Sequence, residues 1–151
     1  MRWKSYKTFK NAKRRFVEET VKDYILIDDY AHHPTEIKVT LNAVRQKYPN
    51  KRLVAVFVPN TYSRTYALKD DFIKVLKETD QTYLTEIDCN RERKEDYPNV
   101  SSQMIINEIP NGKLISTNTI NQLLKEENAV ICFLGCADTS HLIESFKKEV
   151  L

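Results

Sequence analysis

The sequence predicts an α/β protein with a Rossmann-like, mostly parallel sheet of about six strands, flanked by four or five helices. Short apolar runs recur along the chain, and the nearly continuous run at residues 53–58 is typical of a strand covered on both faces. Between these runs, apolar residues recur three or four positions apart, as in amphipathic helices. Alternation of the two patterns favours parallel strands joined by right-handed crossovers.

The predicted strands are short and apolar, and most end at a proline, a glycine or a polar cluster. They lie at residues 16–21, 24–28, 53–58, 83–87, 113–116 and 130–134.

The first predicted helix shows the pattern most clearly. Its apolar residues Ile37, Leu41 and Val44 share one face, Pro34 suits a first helical turn, and Pro49 ends it. The predicted helices lie at residues 34–48, 65–78, 100–109, 119–126 and 139–150.

Composition narrows the functional classes. A chain of 151 residues that is 41% hydrophobic suits one globular domain, and a net charge of +3 indicates neither nucleic-acid nor membrane binding. Two glycines are too few for a dinucleotide-binding or phosphate-binding glycine loop. Three cysteines without a C-x-x-C pair, and no export signal, predict a cytoplasmic protein with reduced thiols.

Residues 28–36, D-D-Y-A-H-H-P-T-E, form the most informative motif. It places carboxylates and imidazoles where a buried strand turns into a helix, which is where α/β sheets bind ligands. Asp29 is equally compatible with a structural turn carboxylate and with a ligand-binding acceptor. The adjacent residues His32 and His33 should point in opposite directions, so no metal site is predicted.

Three motifs follow one another along the chain: K-R-R-F at residues 13–16, D-D-Y-A-H-H-P-T-E-I at 28–37 and V-P-N-T-Y-S-R-T at 58–65. In this order they resemble the motifs of the Mur ligase family, and within it those of the ligases that add L-alanine. The resemblance implies a Mur ligase C-terminal domain at residues 13–151, preceded by a linker or domain remnant at 1–12. The third motif departs from the family pattern at Val58, Asn60 and Thr61.

The resemblance implies roles for five residues. Arg15 would be catalytic and nucleotide-binding, and Asp29 nucleotide-binding. His32 would be catalytic and substrate-binding, while His33 and Arg64 would bind substrate. The role of Arg14 is less defined by the motif.

The implied enzyme joins L-alanine to UDP-N-acetylmuramate through an acyl phosphate, using ATP and Mg²⁺, in peptidoglycan synthesis. N-terminal and central Mur ligase domains would hold the nucleotide, so this domain alone should bind no cofactor tightly and should be inactive. A ligase that recycles murein tripeptide, and a stand-alone α/β binding module without catalysis, are the alternative interpretations.

Overall fold

The computed structural model describes residues 14–151, so the linker predicted for residues 1–12 lies outside the described residues. It contains one six-stranded sheet with the strand order β1-β2-β6-β3-β4-β5. The strands are β1 Val17–Val21, β2 Tyr24–Asp29, β3 Arg52–Phe57, β4 Gln81–Leu84, β5 Gly112–Leu114 and β6 Ala129–Leu134. All described pairings are parallel except that of β1 with β2. The predicted fold class is confirmed.

Five α-helices surround the sheet in the described part of the chain. They are α1 Pro34–Lys47, α2 Tyr62–Ala67, α3 Lys69–Leu76, α4 Ser102–Ile106 and α5 Ser140–Val150. Two 3₁₀ segments, Lys94–Asp96 and Thr117–Lys125, complete the secondary structure.

Two predicted helices differ from the structure. The single helix predicted for residues 65–78 is two helices, because Leu68 leaves the helical region, with φ −107° and ψ 16°, between α2 and α3. The helix predicted for residues 119–126 is a 3₁₀ segment with a kink at Thr119, where φ is −120°. Periodicity identified the buried faces in both cases, but it does not report such local changes of direction.

Side chains from alternate positions of the central strands enter two separate cores. Ala55 and Phe57 of β3 pack with α1, α3 and α4 on one face of the sheet. Val54 and Val56 pack with α5 and the second 3₁₀ segment on the other face. The domain is therefore a three-layer sandwich with the sheet in the middle.

The carboxyl ends of β2, β6, β3 and β4 meet at one edge of the sheet, called here the carboxyl edge. Because β1 runs antiparallel to β2, the residues that precede β1 reach the same edge, where the Tyr30 N–H donates to the Arg14 carbonyl at 2.5 Å. The first two motifs are thus brought side by side. Among residues 14–151, no helix combines the length and apolar character needed to cross a membrane.

Candidate functional site

Asp29 ties the first two motifs together at the carboxyl edge. Its side chain is only 4% exposed, and its two oxygens accept the N–H groups of Phe16 at 2.9 Å and Ala31 at 2.8 Å. The structural role expected for a turn carboxylate is therefore present. The nucleotide-binding role of Asp29 stays a prediction.

The contacts of Arg14 are structural. Its guanidinium lies 3.2 Å from the Asp28 carboxylate and donates to the carbonyls of Gly135 at 2.7 Å and Ala137 at 3.0 Å. Thr139 also donates to Asp28, at 2.7 Å. These contacts fasten the end of β2 to the loop that follows β6.

Arg15 is loosely held. Its side chain is 51% exposed, and its guanidinium lies 3.8 Å from Asp29 and 3.9 Å from Glu36. It also lies over the Tyr30 ring, 5.7 Å from the ring centre. These ion-pair distances are too long for hydrogen bonds, so the donors of Arg15 can turn toward an incoming anion.

Glu36 organises the two histidines at the start of α1. One of its oxygens accepts the N–H groups of both His32 and His33 at 3.2 Å, and the His32 ring nitrogen Nδ1 lies 3.4 Å from that oxygen. His32 is half-buried, 3.3 Å from the Tyr30 carbonyl, whereas His33 is exposed. The two adjacent histidines therefore have different environments.

The charge of Glu36 is favoured by its surroundings. Partial burial opposes ionisation, but the N–H groups of His32 and His33, with the nearby His32 ring and Arg15, outweigh it and lower the pKa of Glu36. A carboxylate is therefore fixed beside Arg15 and His32 at neutral pH.

The third motif forms a tight turn at residues 61–64, called here the 61–64 turn, just beyond β3. Thr61 has a positive φ of 68°, its hydroxyl accepts the Arg64 N–H at 3.3 Å, and its carbonyl accepts the Thr65 hydroxyl at 2.7 Å. Arg64 is half-buried, and its guanidinium donates to the Asn60 carbonyl at 3.4 Å. The Arg64 guanidinium therefore lies next to the carboxyl end of β3.

Glu92 reaches the same turn from a distant loop. Its carboxylate accepts the Tyr62 N–H at 2.6 Å, the Ser63 N–H at 3.1 Å and the Ser63 hydroxyl at 2.5 Å. Hydrogen bonding by the Ser63 hydroxyl is the main cause of the lowered pKa of Glu92.

The loop after β6 lies between the two halves of the site. The Gly135 N–H donates to the Asp29 carbonyl at 3.2 Å, and the Asn60 side-chain amide donates to Cys136 Sγ at 3.2 Å. The structure thus brings Arg15, Asp29 and His32 together and places Arg64 across this loop.

Among the described residues, a concavity of about 790 Å³ lies at the opposite edge, lined by residues near the start of β2 and β6 such as Tyr24 and Asn128. A concavity of about 350 Å³ lies at the carboxyl edge, lined by residues such as Val58 and Asp88. Residues 14–151 contain no group of three or more His, Cys, Asp or Glu side chains arranged to hold a metal ion. The predicted site residues lie along the carboxyl edge, where Arg15 and His33 are exposed and Asp29 is buried.

Sequence reasoning gave no role to Glu36 or Glu92. Glu36 could have been found, because a glutamate at the third helical position often reaches back to the N–H of the capping residue. Glu92 offers no such local signal, since its partners lie about 30 residues earlier in the chain.

The described residues thus form a three-layer α/β domain with arginines, a histidine and supporting carboxylates at the carboxyl edge of its sheet. The family model described as Mur ligase, glutamate ligase domain, matches residues 14–137. The chain belongs to the Mur ligase family, as the three motifs predict.

Individual relatives agree with this assignment. The chain is 43% identical over 141 residues to the UDP-N-acetylmuramate–L-alanine ligase of Lactobacillus johnsonii, covering 93% of this chain and 32% of that protein. It therefore spans about a third of the length of the curated relatives it matches.

Solved structures share the fold at low sequence identity. The murein peptide ligase of Psychrobacter arcticus matches with a TM-score of 0.72 and 21% identity, over 91% of this chain and 30% of that one. The UDP-N-acetylmuramate–alanine ligase of Thermotoga maritima matches with a TM-score of 0.64 and 24% identity, over 90% and 29%.

Proposed function

We propose that this chain is the C-terminal domain of an ATP-dependent ligase that joins L-alanine to UDP-N-acetylmuramate in peptidoglycan synthesis. The observation that carries the proposal is the 43% identity to alanine-adding ligases over 93% of the chain. Since the chain covers 32% of such a relative, N-terminal and central domains would supply the rest of the catalytic machinery.

The proposed reaction has two steps. The muramate carboxylate attacks the γ-phosphorus of ATP, giving an acyl phosphate and ADP. The alanine amine then attacks the acyl carbon, and inorganic phosphate leaves as the amide forms. Such reactions depend mainly on positioning the substrates and stabilising the developing charge. The hydrogen-bond donors at the carboxyl edge could contribute to both once other domains close over it.

Arg15 is proposed to meet the nucleotide phosphates. Its half-exposed guanidinium and its long ion pairs with Asp29 and Glu36 suit a donor that changes partners when an anion arrives. Its permanent charge would offset the charge that develops on the transferred phosphoryl group. Asp29 is proposed to lie on the nucleotide side, where it also holds the backbone next to Arg15.

His32 and Arg64 are proposed to serve the amino acid. His32 would face the reacting amine, with its orientation set by Tyr30 and Glu36, and the exposed His33 would lie at the rim of the same subsite. Arg64 would pair with the alanine carboxylate, for which a forked guanidinium is well suited. Asn60 and Thr61 depart from the family pattern beside Arg64, so they would affect amino-acid choice.

ATP and Mg²⁺ would be held mainly outside this domain. Mg²⁺ supplies charge neutralisation on the phosphates when bound, and its ligands and the phosphate-binding lysine are assigned to the missing domains. The isolated chain should therefore form no amide from ATP, UDP-N-acetylmuramate and alanine. The complete enzyme is proposed to act in the cytoplasm.

The test uses the complete protein encoded by the gene. With ATP and UDP-N-acetylmuramate, phosphate release should depend on L-alanine and yield the alanyl product, as seen by mass spectrometry. Murein tripeptide in place of alanine is the control substrate.

Two outcomes would overturn the proposal. Product with tripeptide but not alanine would make the protein a recycling ligase. No product with either, together with an upstream coding region lacking a phosphate-binding loop, would leave a stand-alone binding module.

A further inference from the structure

The loop that follows β4 contacts the 61–64 turn through several independent groups. Glu92 accepts three hydrogen bonds from Tyr62 and Ser63. Tyr97 of the same loop stacks on the Tyr62 ring, with centroids 5.8 Å apart and an angle of 12° between the planes. Tyr62 is also buried against Ile87 in a small separate apolar cluster.

The 61–64 turn needs such support. Thr61 has a φ of 68°, which is unfavourable for a β-branched residue and persists only where neighbouring contacts hold it. The 61–64 turn is the start of α2, which is only six residues long and so gives little support to its own first turn. The carboxylate of Glu92 fixes the two residues that lie between Thr61 and Arg64.

Glu92 also determines which donors a substrate can reach. The N–H groups of Tyr62 and Ser63 both donate to Glu92 Oε1, at 2.6 and 3.1 Å, so they are already used. An amino-acid carboxylate arriving here would meet the Arg64 guanidinium rather than the start of the helix.

We propose that Glu92 is a positioning residue for amino-acid binding, whose carboxylate fixes the 61–64 turn so that Arg64 meets the carboxylate of the amino-acid substrate. This inference rests on the proposed function of Arg64. Glu92 is assigned a positioning role because both of its oxygens already accept hydrogen bonds from the turn.

The test measures steady-state kinetics of the complete ligase for L-alanine and for ATP. The variants are Glu92→Ala, Glu92→Gln, Arg64→Ala and the double variant Glu92→Ala with Arg64→Ala. Glu95→Ala is the matched control, because Glu95 is 73% exposed in the same loop and pairs only loosely with Arg93, at 3.7 Å.

Loss of the Glu92 carboxylate should weaken the binding of L-alanine selectively. Glu92→Ala should raise KM for L-alanine about tenfold or more, as expected from losing hydrogen bonds to a charged acceptor, with KM for ATP nearly unchanged. Glu92→Gln keeps one acceptor oxygen and should recover part of the loss. The double variant should be no worse than Arg64→Ala, because both changes remove the same contact.

Each other outcome has a defined meaning. If Arg64→Ala raises KM for alanine but Glu92→Ala behaves like Glu95→Ala, the inference is wrong and the proposed function stands. Effects that multiply in the double variant would also overturn the inference.

If Glu92→Ala is poorly folded, Glu92→Gln replaces it as the test. A KM for alanine in Glu92→Gln equal to that of wild type would then reject the inference. An unchanged KM in Arg64→Ala would instead remove the proposed role of Arg64.

Discussion

At the scale of single residues, neighbouring side chains of the same type have different tasks. Arg14 is fastened to Asp28 and to two backbone carbonyls, while Arg15 is half-exposed with only long ion pairs. The sequence could predict that this segment belongs to the site. The motif gave a role to Arg15 but not to Arg14, because the carbonyl of Ala137 that binds Arg14 lies 123 residues away in the chain.

Asp29 should contribute strongly to stability. Asp29→Asn replaces one of two acceptor oxygens by an amide donor, which would face the N–H of Phe16 or Ala31 in a buried site. The free energy of unfolding should fall by about 1–3 kcal/mol. Denaturant unfolding of the chain measures this. The same change at exposed Asp96 is the control, and equal effects at the two positions would contradict the role given to Asp29.

Glu36 should make the free energy of unfolding depend on pH in the acid range. Its pKa in the folded chain is lowered from an ordinary value of 4.5, so its contribution is complete above that pH and is lost as the pH falls through the lower folded value. Unfolding measured from pH 7 to pH 3 should show a smaller acid loss in Glu36→Gln than in wild type. Identical pH profiles would show that Glu36 is not held as described.

At the scale of elements, the two central strands and the long helices could be predicted, but the short connections could not. β3, apolar after Arg52, and β6, apolar throughout, were predicted within one residue at each end. The strand predicted for residues 83–87 lies instead at Gln81–Leu84. The break at Leu68 and the kink at Thr119 are invisible to periodicity, since the apolar face continues through both. The 61–64 turn depends on Glu92, which no local pattern connects to it.

The loop after β6 should tolerate no side chain at Gly135. Its φ is 144°, and an added Cβ would lie 2.7 Å from the Val58 carbonyl oxygen. Gly135→Ala should therefore lower stability by about 2 kcal/mol or more, as seen by denaturant unfolding.

Gly112→Ala provides the comparison. Its added Cβ would lie 3.2 Å from Ile106, a less severe approach, and a smaller loss is expected there. A Gly135→Ala chain as stable as wild type would mean that the loop has a different course.

At the scale of the whole molecule, the proposed function requires other domains to close onto the carboxyl edge. Arg15, His32 and Arg64 all lie on this edge. The chain spans 32% of a matched relative, in agreement with a site completed elsewhere. The motifs predicted the family and the fold, both of which are confirmed, and the residue roles are proposed from the same motifs.

The most direct test compares Arg14→Ala with Arg15→Ala in the complete ligase, measuring the melting temperature and kcat of each. Arg15→Ala should keep the melting temperature and lower kcat about a hundredfold or more, since a donor to developing charge is lost. Arg14→Ala should lower the melting temperature, because it releases Asp28 and the loop at Gly135. An Arg15→Ala enzyme with normal kcat would contradict the claim that this edge takes part in the ligase reaction.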